Sequence, residues 1–171
     1  MTISMYQACV PPFLQTLEGL SDVLDKAEAF CVAKKIDPAV LINARLAPNM
    51  FALARQVQIA CDFAKGASAR LAGLDAPAYE DNEKTIEELK ARIAKTVAFV
   101  KTIDASKIDG AEERDITLKI AGNPITFKGQ FYLVNFAIPN YYFHLTTAYA
   151  ILRHNGVDLS KGDFLGLSLG R

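Results

Sequence analysis

Apolar residues recur at threes and fours from about Ile3 to Lys35, where Phe13, Leu17, Leu20, Leu24, Ala27 and Cys31 fall on one face of a helix. Pro11-Pro12 and the capping sequence Gly19-Leu20-Ser21-Asp22 each predict a bend or restart within it. Asp37-Pro38 opens a short connector helix, about Pro38 to Ala44, with Asp as cap and Pro in the first turn. A second long helix is predicted from near Pro48 to about Ala72, with Met50, Leu53, Val57, Cys61, Ala64, Ser68 and Leu71 as its stripe and Gly73 as its stop. Gly66 inside it marks either close approach of a neighbouring helix or a weak point. After a loop over Leu74 to Asn82, Thr85-Ile-Glu-Glu88 is a capping box, and Ile86, Leu89, Ile93, Val97 and Val100 carry a third long helix to about Asp104.

The period then drops from 3.6 to 2. Asp115 to Ile120 and Pro124 to Lys128 alternate apolar and polar residues around Ala121-Gly-Asn-Pro124, which predicts a hairpin with a Gly-Asn turn. An isolated hairpin is marginal, so its apolar side must lie on the helices or on a partner. A fourth long helix follows from about Gln130 to Asn155, with Gly156 as its stop. Pro139 within it removes the hydrogen bond to the carbonyl of Asn135, so a kink is expected there. The tail, Val157 to Arg171, has no clear period. The whole predicts a single domain, residues 1–171, that is mainly α: a four-helix bundle with a short β-hairpin before the last long helix. The long link between the third and fourth long helices leaves room for a crossover.

Composition narrows the function. At 51% hydrophobic and 22% charged, 171 residues can bury a sizeable core, and nineteen basic residues balance nineteen acidic ones. With no net field, nucleic acid is not an expected partner. The N-terminus has no signal-peptide pattern, and no apolar run approaches the roughly 20 residues of a membrane span. A cytoplasmic protein is therefore expected. Cys9, Cys31 and Cys61 have neither zinc nor redox spacing and read as small core residues. No phosphate-binding glycine loop, nucleophile elbow or His-Glu-x-x-His motif is present.

The chain holds only two histidines. His154 lies in the last turn of the fourth long helix, where a cation suits the helix dipole; it is roughly 15 Å and about 80° from His144, so the two cannot share an ion. Asn140, His144 and Thr147 follow one edge of the apolar stripe formed by Ile138, Tyr141, Leu145, Ala148 and Leu152. Such an edge fits a pocket or metal site in the bundle interior, and it equally fits a hydrogen-bonded ladder that fixes packing. On the second long helix Gln58, Asp62 and Lys65 share a face. If that face turns toward His144, Asp62 is the carboxylate available to orient the imidazole. The charges over Asp81 to Glu88 read as cap and loop residues.

The segments Ala44-Arg-Leu-Ala-Pro-Asn-Met-Phe51, Arg55-Gln-Val-Gln-Ile59 with Asp62, Pro139-Asn-Tyr-Tyr-Phe-His144 and Ala148-Tyr-Ala-Ile-Leu-Arg-His-Asn-Gly156 together resemble a bacterial family of unknown function numbered 1993. That family is similar in fold to the DinB-like, or damage-inducible, four-helix bundles. The resemblance implies that fold over essentially the whole chain, a homodimer and, from the superfamily, metal binding and in some members thiol transfer. The superfamily's metal site takes one histidine from the second helix and two, four residues apart, from the last long helix. Here Asn140 and His144 stand at the latter pair, the second helix has no histidine, and Gln58 or Asp62 would have to supply the third contact.

Two classes of function follow. One is a non-catalytic small-molecule-binding or interaction protein with a degenerate metal site and a pocket of His144, Asn140, Asp62, Gln58 and Thr147. The other is an enzyme of transferase or hydrolase type, with a divalent metal on His144, Asn140 and Asp62 or with His144 as a metal-free base. No cofactor is predicted beyond a weakly bound zinc or nickel ion.

Overall fold

In the computed structural model, which describes residues 3–167, the four long helices form a bundle. Helix α1 spans Met5–Lys34, the connector α2 Pro38–Ile42, α3 Leu53–Leu71 and α4 Ile86–Lys101. A single-turn helix, α5 (Ala105–Ile108), leads to strands β1 (Asp115–Ile120) and β2 (Asn123–Lys128). The last long helix is continuous but composite: a first turn α6 (Gly129–Phe131), a π-helical segment Tyr132–Ala137, then α7 (Ile138–His154). A short α8 (Lys161–Leu165) closes the described chain. The predicted stripes of α1 and α4 are buried throughout, and so is that of α3 from Leu53 onward.

Pairs along the helices fix their directions. Lys90 with Asp25 and Lys101 with Glu18 set α4 antiparallel to α1. Gln56 with His144 and Arg70 with Tyr132 set α3 antiparallel to the last helix. Thr16 with Tyr141, and Phe30 beside Gly156, set α7 parallel to α1. The order is therefore up, down, down, up, and α3 and α4 are parallel neighbours. The crossover is the 72–85 link between the second and third long helices. The link before the last helix, where the sequence left room for one, joins antiparallel helices instead.

Helix α1 is unbroken through both expected bends. Pro11 and Pro12 are accommodated within it. Gly19 serves a close approach rather than a restart: a Cβ there would lie 2.7 Å from the Cα of Gly166, the C-cap of α8. At Pro139 the expected kink takes the form of the π segment. The N–H of Ile138 bonds five residues back to Leu133, and the shifted ladder leaves Pro139 in the first turn of α7, where its missing N–H is least disruptive. The hairpin turn is shifted by one residue. Ile120 pairs with Asn123, and Ala121-Gly122 form the loop with φ of 48° and 89°, as in a type I′ turn. The capping box at Thr85 and Glu88 is present in full.

The α1–α8 contact gives a direct test. Alanine normally favours a helix over glycine by about 1 kcal/mol, yet Gly19→Ala should destabilise the protein by about 1–3 kcal/mol, because the methyl meets backbone that cannot yield cheaply. Urea unfolding checks the sign; a more stable variant would contradict the close approach.

Candidate functional site

His144 is half-buried on α7 and faces α3. Its Nδ1 lies 2.7 Å from the Oε1 of Gln56, and its ring stacks on Phe63 at 6.0 Å with the planes 16° apart. The Nε2 of Gln56 donates to the Phe51 carbonyl at 3.1 Å, which fixes the amide with its oxygen toward the histidine. His144 therefore carries its proton on Nδ1 and keeps the Nε2 lone pair. Burial, and then the nearby charge of Arg55, hold its pKa below the ordinary histidine value.

The other residues expected beside His144 bond elsewhere. Asn140 donates to the Phe136 carbonyl and Thr147 to that of Phe143, each at 2.7 Å within its own helix. Asp62 pairs with Lys65 and Arg92, at 2.9 Å in both cases, and Gln58 donates to Glu83 at 2.8 Å. The contact from α3 to the imidazole comes from Gln56, two residues from Gln58 and on a different face. Among the described residues, no group of three His, Cys, Asp or Glu side chains is placed to hold an ion. His154, exposed at the end of α7, is remote from this site.

The larger polar cluster centres on Arg92, whose side chain is only 2% exposed. One guanidinium nitrogen donates to the Glu80 carbonyl and to Glu83, both at 2.9 Å; the other reaches Asp62 at 2.9 Å and Asp81 at 3.0 Å. Nε has no acceptor among the described residues. Arg55 adds a second pair to Asp81. Lys65 and Lys95 lie 4.0 and 4.1 Å from the centre of the Tyr79 ring, with Arg92 also over it at 5.4 Å. Burial alone raises the Glu83 carboxyl, but hydrogen bonds from Arg92, the backbone and Gln58 outweigh it and hold the pKa below the usual range. Nothing in the α4 stripe marks Arg92, and two of the acids it binds, Asp81 and Glu83, lie in the run that reads as cap and loop charges, while Asp62 lies on the second long helix.

The three cysteines are buried and free, and burial pushes Cys9 and Cys61 up to about 12, which leaves both thiols unreactive. Among the described residues no helix is long and apolar enough to cross a membrane.

A family model described as a domain of unknown function, DUF1993, matches residues 5–165. The chain belongs to the DUF1993 family. It is also similar to the crystal structure of a DinB family member protein from Shewanella denitrificans, with 43% identity and a TM-score of 0.85 over 97% of this chain and 94% of that one. The mainly α, DinB-like bundle with a hairpin before its last long helix is thereby shown. No functionally curated protein matches the chain. In this DUF1993 member the α3–α7 seam, where the superfamily resemblance implies a metal, presents one imidazole and neutral amides, while Asp62 pairs through its Oδ1 with two cations.

The Arg92 cluster carries a stability prediction. Arg92→Met should cost about 3 kcal/mol, since it strands Glu83 against α3 and α4 without its cation. Glu83, with its lowered pKa, contributes stability that is present above the ordinary glutamate range and lost as pH falls through the folded value. Urea unfolding across acidic pH should therefore show a fall in the wild type that is flatter in Arg92→Met.

Proposed function

We propose that this protein is a non-catalytic binding protein, in which the DinB-like metal position has become a closed polar contact. The observation that carries this reading is the Gln56–His144 hydrogen bond, anchored by the Phe51 carbonyl. It occupies the imidazole from the α3 side with a neutral amide. A zinc or nickel ion would find one free ring nitrogen, Asn and Gln oxygens of low charge, and an Asp62 carboxylate already engaged by Lys65 and Arg92. That donor set does not fit a tightly held divalent ion. Protein purified without an affinity tag should contain well under one equivalent of zinc or nickel by elemental analysis. Stoichiometric metal that is lost in His144→Ala contradicts the reading.

The free buried thiols support a reducing, cytoplasmic setting. We further propose a homodimer. Phe51 and Phe143, 55% and 56% exposed, flank the Gln56–His144 pair, and apolar rings beside a site are surface that a second copy can cover. Light scattering at micromolar concentration should give twice the chain mass; a monomer rejects the dimer.

One observation favours a second reading as a His-dependent transferase or hydrolase. The Gln56 contact on Nδ1 leaves Nε2 able to accept a proton, and burial favours the neutral ring. Hydrolysis of p-nitrophenyl acetate above the buffer rate and abolished in His144→Ala would favour that reading over the first.

A further inference from the structure

A pocket of about 220 Å³ lies between the hairpin, α3 and the π segment. Phe63, Tyr132 and Phe136 line it on the helical side and Leu118 and Ile120 of β1 on the hairpin side, and it is open to solvent. It shares the Phe63 ring with the His144 site but none of that site's hydrogen-bonding groups. Three aromatic walls and a volume of this size suit a flat apolar body on the order of ten non-hydrogen atoms.

The polar end of the pocket is cationic. Arg70 donates to the Tyr132 hydroxyl at 3.1 Å and has no carboxylate partner among the described residues. Arg70 lines the pocket, and the N–H groups not bonded to Tyr132 belong to a planar guanidinium fork, the group that can match a carboxylate through two parallel hydrogen bonds. Lys119 adds a second positive charge at the rim. The one acid in the lining, Asp62, has Lys65 and Arg92 on its Oδ1, so its charge is balanced by cations that lie outside the pocket. Gly66 holds the fork in place: a Cβ at that position would lie 2.5 Å from the guanidinium nitrogen that bonds Tyr132. The glycine inside α3 thus makes room for its own helix's arginine, one turn on, rather than for a neighbouring helix.

We propose that this pocket binds a small aromatic monocarboxylate, with its ring between Phe63, Phe136 and the hairpin and its carboxylate on Arg70. The proposal rests on the reading of the chain as a binding protein and supplies a site and a ligand class for it. Calorimetric titration of the intact protein with sodium benzoate, and with benzamide as its neutral isostere, tests it. Benzoate should bind with a Kd of about a millimolar or tighter, as suits a ligand of this size. Benzamide should bind about tenfold more weakly, because it cannot accept the paired charge-assisted bonds.

Gly66→Ala should retain the wild-type Tm or exceed it, since alanine favours the helix and only the end of a flexible side chain must move, while benzoate affinity falls about tenfold. Arg70→Gln should show the same loss of affinity with Gly66 intact. Equal affinity for benzoate and benzamide, or no heat of binding with benzoate at tens of millimolar (about the practical ceiling for so small a ligand), overturns the ligand class. Binding that survives both Gly66→Ala and Arg70→Gln but disappears in His144→Ala overturns the site, yet leaves the binding-protein reading standing.

Discussion

The buried guanidinium of Arg92 is the tie on which the rest of the structure depends. Parallel α3 and α4 require the 72–85 link to return along the bundle, and its second half, 80–85, is wholly polar, with no apolar side chain to hold it down. Arg92 fastens it at Glu80, Asp81 and Glu83 while also reaching Asp62 of α3. A single planar fork that must satisfy the link and a helix together favours one path for the chain over others of similar apolar burial, which is how buried ion pairs contribute specificity more than net stability. Tyr79 extends the fastening, with its ring beneath the cations of Lys65 and Lys95.

The same tie decides the chemistry of the seam between α3 and α7. Asp62 pairs with Arg92 and Lys65 on the α4 side, and the imidazole of His144 meets the amide of Gln56 rather than a carboxylate that would favour its charged form. The π segment acts from the opposite side. By accommodating Pro139 without a break, it keeps Tyr132 and Phe136 on the face turned toward α3, so that Phe136 lies 6.0 Å from Phe63 and Tyr132 meets Arg70. Two small regions of distinct chemistry result, a neutral His–Gln contact and a cationic aromatic pocket, separated by one phenylalanine ring.

The helices were legible because their stripes are what the bundle buries: Leu17, Leu24, Val57, Cys61, Ile93 and Val100 sit where a period of 3.6 places them. The capping box of Thr85 was legible because its bonds are local. Helix direction was not, since an apolar stripe looks the same whichever way the helix runs, and the long link before the last helix looked as able to cross over as the one that does. The bonds that each candidate side chain makes are not legible from spacing. Asn140, His144 and Thr147 share the last helix, but side-chain bonds to carbonyls one turn back, in Asn140 and Thr147, leave no trace in spacing. Gln56 and Gln58 cannot be told apart from the sequence, because a stripe counted from residue types does not say which flank of α3 meets α7. The role of Arg92 leaves no mark in spacing for a similar reason: Asp81 and Glu83 come to it from a link, and Asp62 from α3, by a path that depends on the fold itself.

The central claim is that His144 is a neutral imidazole held by an amide, with Asp62 committed elsewhere. Nuclear magnetic resonance titration of the His144 ring protons in the intact wild-type protein tests this most directly, since the only other histidine, His154, lies exposed at the end of α7. The account predicts a His144 midpoint below about 6.5, the ordinary histidine value. A midpoint above that value would mean that a carboxylate stabilises the imidazolium, and would contradict the account.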